Sequence, residues 1–146
     1  MPTLTYNSYS VLQDSAGKDN LILVNLSYTD GDGNIGLEEY QTQYPFGDND
    51  PFHNNLFIYY YVEQGGVFKK VSNPLSPSND TINFHERIGN LTPTGKSKWI
   101  YGDLQLKIPA NPFNIDPSKV KFECQLVDRD LNKSNLVATP VVEVKL

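Results

Sequence analysis

The chain has 146 residues, 38% of them hydrophobic and 12% aromatic, which suits one globular domain and is too apolar for a disordered segment. Its formal charge is −5 and its close basic pairs, Lys69-Lys70, Lys96/Lys98 and Lys119/Lys121, are scattered along the chain, a distribution that argues against a phosphate-binding surface and hence against a nucleic-acid partner. One cysteine, Cys124, leaves no internal disulfide, no apolar run reaches the length of a transmembrane span, and no signal peptide is read in this chain.

Along the chain, period-two alternation recurs and helical periodicity hardly appears. Residues 21–28 predict a strand with Ile22, Val24, Leu26 and Tyr28 facing inward. Residues 29–55 carry little regular pattern beyond a short piece at 37–40 that could make a helical turn. A loop this long inside a compact domain is commonly functional or ligand-stabilised. The apolar and aromatic run 56–62 predicts a central strand, with Ile58, Tyr60 and Val62 inward and Phe57, Tyr59 and Tyr61 on the opposite face. Gln64-Gly65-Gly66 then joins it to 67–71 as a hairpin.

A loop over 73–80 leads to a strand at 81–88, and Pro93-Thr94-Gly95 turns the chain into a strand at 99–108. There Ile100, Leu104, Leu106 and Ile108 share one face, while Trp99 and Tyr101 point outward. Residues 120–126 alternate cleanly, which places Cys124 inside as a small hydrophobe. Residues 137–146 close the set, with Pro140 suggesting an edge or a bulge. The fold expected is all-β: one domain over 1–146, an immunoglobulin-like β-sandwich of about seven to eight antiparallel strands with a long insertion between the second and third. The tryptophan and paired cysteines of antibody domains are missing.

The long loop opens with Asp30-Gly31-Asp32-Gly33-Asn34, oxygen-bearing residues alternating with glycines. Such spacing lets carboxylates converge on a hard cation such as calcium. The EF-hand register fails, because its first ligand position falls on Tyr28 and a strand stands where a helix should be. A second acidic segment, Asp128-Arg129-Asp130, follows the cleanest strand. In a sandwich these two loops share one end, so Asp30, Asp32, Asn34, Asp128 and Asp130 are the expected ligands of a structural calcium. The competing expectation is a dry set of turns, since Asp, Asn and Gly are turn formers and Arg129 and Lys133 can neutralise the carboxylates.

The Asp-Gly-Asp-Gly-Asn-Ile-Gly loop after an apolar strand resembles a group of surface lipoproteins of Bacteroidetes-type bacteria. Arg87-Ile88 with Leu91-Thr92-Pro93, Ile100-Tyr101-Gly102, Asp128-Arg129-Asp130 with Ser134-Asn135, and Thr139-Pro140 extend the resemblance over most of the chain from about residue 21. It implies an exported domain of the bacterial cell surface, immunoglobulin-like, lipid-anchored and without an assigned activity. The lipid-bearing cysteine of such proteins is not present in this chain.

No group of residues has the division of labour an enzyme needs. Glu38 and Glu39 are adjacent and diverge, and neither His53 nor His85 accompanies a nucleophile or a zinc-ligand spacing. The expectation is therefore a non-catalytic, extracytoplasmic accessory or interaction domain that meets a protein or glycan partner. The alternative is a carbohydrate-binding module using Tyr59, Tyr61, Trp99 and Tyr101 as stacking rings, unless a loop covers them.

Overall fold

A computed structural model describes residues 2–31, 33–78, 80–89 and 100–146. The chain is all-β and forms two antiparallel sheets that face each other as a sandwich. Strands β1 (Pro2–Gln13), β2 (Asp19–Asp30) and β5 (Ile100–Pro109) form the first sheet in the order β1-β2-β5. The second has the order β4-β3-β6-β7, from β3 (Leu56–Gln64), β4 (Val67–Lys69), β6 (Lys119–Leu126) and β7 (Val137–Ala138), with β8 (Val142–Glu143) also paired to β6.

The alternating sequences fill the space between the sheets as expected. Ile22, Val24, Leu26 and Tyr28 from β2, and Ile58, Tyr60 and Val62 from β3, meet Leu106 and Ile108 from β5. Val120, Phe122, Cys124 and Leu126 of β6 complete the contact. Burial pushes the Cys124 thiol up to about 12, so it packs as a hydrophobe and not as a nucleophile. Gly65 and Gly66, both at positive φ, make the tight hairpin between β3 and β4. Gly102 lies opposite Tyr28 in the β2–β5 ladder, where an added Cβ would stand 2.6 Å from the phenol oxygen; only glycine lets that ring lie flat across the strand.

Three elements differ from expectation. β1 is a twelve-residue strand, yet only Pro2 and Leu4 are buried on it, and a register shift after Tyr6 breaks the alternation of Leu4 and Tyr6 from that of Tyr9 and Val11. The strand expected at 81–88 is reduced to isolated bridges along β3, although Phe84 N–H still bonds Ile58 C=O at 3.1 Å and Glu86 N–H bonds Leu56 C=O at 2.9 Å. The piece at 37–40 is a turn and not a helix; it is preceded by Ile35 and includes Leu37, both buried.

Candidate functional site

β2 ends and β3 begins at the same end of the sandwich, where the chain also leaves β6. The acidic loops therefore do meet. Arg129 N–H bonds Asn34 C=O at 3.0 Å, and its guanidinium reaches Gly36 C=O at 2.9 Å. Asn34 Nδ2 donates to Asp130 Oδ2 at 2.7 Å. Asp30 is fully buried at the end of β2, and Gly33 and Gly36 take the positive φ that curls the loop back.

The carboxylates are nonetheless engaged within the chain. Asp128 Oδ1 accepts from the main-chain N–H of Asp130 at 3.0 Å and of Asn132 at 2.8 Å, the geometry of an Asx turn. Arg129 brings a positive charge into the same loop–loop contact. Among the described residues no three His, Cys, Asp or Glu side chains are grouped to hold a metal. Asp32, one of the expected ligands, lies outside the described residues. Asp48 and Asp50 sit elsewhere in the long loop, where Asp50 Oδ2 accepts from Gly47 N–H at 2.7 Å.

What orders the long loop is a residue that the sequence reading left unassigned. Arg87 points its guanidinium into the loop and donates to four main-chain carbonyls: Glu38 at 3.1 Å, Gln41 at 2.7 Å, Phe46 at 3.1 Å and His53 at 2.8 Å. Beside it, Asn55 clasps Ile88 in both directions, accepting its N–H at 2.6 Å and donating to its C=O at 3.0 Å. A planar cation with five N–H donors is suited to gather carbonyls from separated turns. The sequence offered Arg87 only as part of the Arg87-Ile88 motif at the end of an expected strand, with no role attached to it.

Other polar residues of the resemblance act in the same way, standing in for a missing strand partner. Asn135 bonds both the N–H and the C=O of Leu4, at 3.0 and 2.8 Å. Ser134 Oγ accepts Leu126 N–H, and Thr139 Oγ1 accepts Phe122 N–H. These positions hold backbone together.

The expected aromatic strip is divided. Tyr59 and Tyr61 stand on the outer face of β3, whereas Tyr101 points outward from β5 in the other sheet, on the opposite side of the molecule. Tyr59, Tyr61 and Tyr101 therefore do not form one surface, and Trp99 lies outside the described residues. Tyr59 and Tyr61 are also half-covered. Tyr59 packs edge-on to His85 at 5.0 Å, with the Lys70 ammonium 4.6 Å from its ring. Tyr61 donates to Glu123 at 2.5 Å, an anchor that helps raise its pKa to about 12. Phe52, from the long loop, packs edge-on against Phe57.

Tyr101 is 72% exposed but stands alone as a ring on the outer face of its sheet among the described residues, whereas the loop that Arg87 pins carries two exposed aromatics. Tyr40 and Tyr44 are each 79% exposed. With Gln41, Gln43 and Phe46 they line a shallow depression of about 350 Å³. Compared with known proteins, the chain matches no family model, no curated protein and no solved structure.

Proposed function

We propose that this chain is a non-catalytic interaction domain whose pinned long loop presents Tyr40 and Tyr44 to a partner. The observation that carries the reading is the pairing of order with exposure. Four hydrogen bonds from Arg87 fix the loop, and two tyrosines on it are left almost fully in solvent. A loop held on a rigid scaffold is where binding residues concentrate, and a pre-ordered tyrosine loses little entropy on contact. The reading includes an extracytoplasmic setting with a lipid anchor, which rests on the resemblance to bacterial surface lipoproteins. It also includes an immunoglobulin-like topology, supported by the strand orders β1-β2-β5 and β4-β3-β6-β7.

A neutral glycan is the second reading of the partner, now at the loop and not at Tyr59, Tyr61 or Tyr101. The depression between two exposed rings is lined by the amides of Gln41 and Gln43 and by no charged side chain, which is the chemistry that stacks on and hydrogen-bonds a sugar. Titration of the chain with a panel of neutral oligosaccharides, followed by amide chemical shifts, tests it. Shifts confined to residues 40–46 and lost in Tyr40→Ala/Tyr44→Ala support the glycan reading; an unchanged spectrum sinks it.

For a protein partner, a photo-crosslinking side chain at Tyr44 should capture a discrete species in the native host, while the same group at Lys107 should not. Equal capture from both places would count against the loop. Calcium at the acidic end is a separate proposal, supported by the closeness of Asn34 to Asp130 and by the buried Asn34 Oδ1, which has no hydrogen-bond partner among the described residues. Melting curves in calcium and in EDTA decide it. An occupied site raises the midpoint by several degrees, and coincident curves leave the internal hydrogen bonds as the loop's support.

A further inference from the structure

The two sheets end in the strands β1 and β5, β4, and the β7/β8 pair. Natural sheets blunt such edges with charge, proline or brevity, because an edge offers unpaired main-chain groups to any passing strand. β4 has three residues, contains Lys69 and is followed by Lys70. β7 and β8 have two residues each and are separated by Pro140. β5 carries Asp103 and Lys107 on its exposed face and ends at Pro109. β1 differs: from Pro2 to Gln13 it has no Lys, Arg, Asp or Glu, its single proline is the first residue, and its two register shifts, between Tyr6 and Ser8 and between Leu12 and Gln13, leave the stretch from Ser8 to Leu12 regular.

The first half of that edge is occupied. Asn135 takes both main-chain groups of Leu4, which fixes those groups as the ones turned away from β2. A bulge between Tyr6 and Ser8 follows. Beyond it the partners on β2 continue the same alternation, with Tyr28 opposite Leu4, Leu26 opposite Tyr6, Val24 opposite Tyr9 and Ile22 opposite Val11. Tyr9 and Val11 therefore present their N–H and C=O to the open edge, and no described group outside the sheet bonds them. Their side chains face inward over an open cleft of about 760 Å³ that Phe68 and Val141 also line.

We propose that β1 is an open edge through which two copies of this chain pair, antiparallel about a two-fold axis at Ser10, joining their three-stranded sheets into one. In that register Tyr9 of each copy faces the partner's Val11 and exchanges both main-chain bonds with it. An aromatic facing a β-branched residue is a favourable cross-strand pair, and a two-fold interface requires this kind of self-complementary patch. Self-complementarity argues for a second copy over a foreign strand, since the two-fold axis at Ser10 sets Tyr9 against Val11 twice. Two molecules of net charge −5 repel, yet along this strand no like charges meet and no charged peptide finds a complement.

Sedimentation of the whole chain tests the proposal. A reversible monomer–dimer equilibrium is expected between about 1 μM and 1 mM, with amide exchange at Tyr9 and Val11 slowing as concentration rises. Ser10→Lys and Ser10→Glu, changes at an exposed side chain, should each weaken the dimer about fivefold, and their equimolar mixture should restore it. A chain that stays monomeric over that range, a dimer indifferent to Ser10→Lys, or a mixture no tighter than its parts would each overturn the proposal. Were either variant to melt early, exchange at Tyr9 and Val11 in the unaltered chain would still decide.

Discussion

Tyr60 is buried between the sheets, its ring packed on Phe84 and Phe122, yet its hydroxyl has no hydrogen-bond partner among the described residues. Burial alone pushes the phenol well above its ordinary pKa. A buried hydroxyl without a partner has lost water and received nothing in return, so its removal is favourable. Tyr60→Phe is expected to stabilise the domain by roughly 1 kcal/mol, a rise of about 3 °C in melting temperature for a chain of this length. A fall would mean that the hydroxyl is satisfied after all. His85 shows the reverse situation. Its Nδ1 accepts Ile58 N–H at 2.8 Å, a bond that exists only while that nitrogen is unprotonated. Burial, and then the nearby Lys70 charge, hold its pKa below the ordinary 6.5. The unfolded chain therefore binds the proton more readily than the folded one. The contribution of His85 is complete above the unfolded pKa and declines as pH falls from there towards the lowered folded value. Between about pH 7.5 and pH 5.5 the chain should lose more melting temperature than His85→Gln does over the same interval. Equal losses in both proteins would show that this bond does not sense protons.

Segment 33–55 behaves as an element although it has almost no secondary structure. Ile35 and Leu37 anchor its first part in the core and Asn55 anchors its end, so the stretch between depends on Arg87. Lysine at that position keeps the charge but offers a point donor where four separated carbonyls need a planar fork. Arg87→Lys is expected to cost roughly 3 kcal/mol and to accelerate amide exchange over residues 38–53. Unaltered exchange there would remove the arginine from its role. The elements that could be read in the sequence are those with one wet and one dry face, β2, β3, β5 and β6, because burial writes period two into them. β1 escaped because its strand is mostly solvated and the bulge after Tyr6 shifts its alternation by one residue. The acidic loops were expected to share an end, and they meet there through Asn34, which bonds Arg129 and Asp130. The use made of their oxygens was not legible, because acceptance of a main-chain N–H and ligation of a cation draw on the same residue types. Arg87 was illegible for a related reason: its partners are carbonyls, which every residue has.

At the scale of the whole molecule the two sheets enclose one core, and Cys124 lies within it on β6, between β3 on one side and β7 on the other. Its ladder partners, Ile58 and Val137, hold it from both flanks. No loop movement exposes that position; the sheets must separate. Reaction with a thiol reagent thus reports global opening, whereas amide exchange at residues 38–53 reports the loop alone. For a domain of ordinary stability the thiol should react slower than a free cysteine by a factor of at least about a thousand. The two readings can then be set against each other in Arg87→Lys. If the long loop is a local unit displayed by an independent sandwich, the substitution raises loop exchange far more than it raises thiol labelling. If loop and sandwich unfold as one, both rates rise by the same factor. The first result is what a pre-ordered binding loop on a rigid scaffold requires, because the order of the loop then rests on its own pins while the sandwich beneath it stays closed.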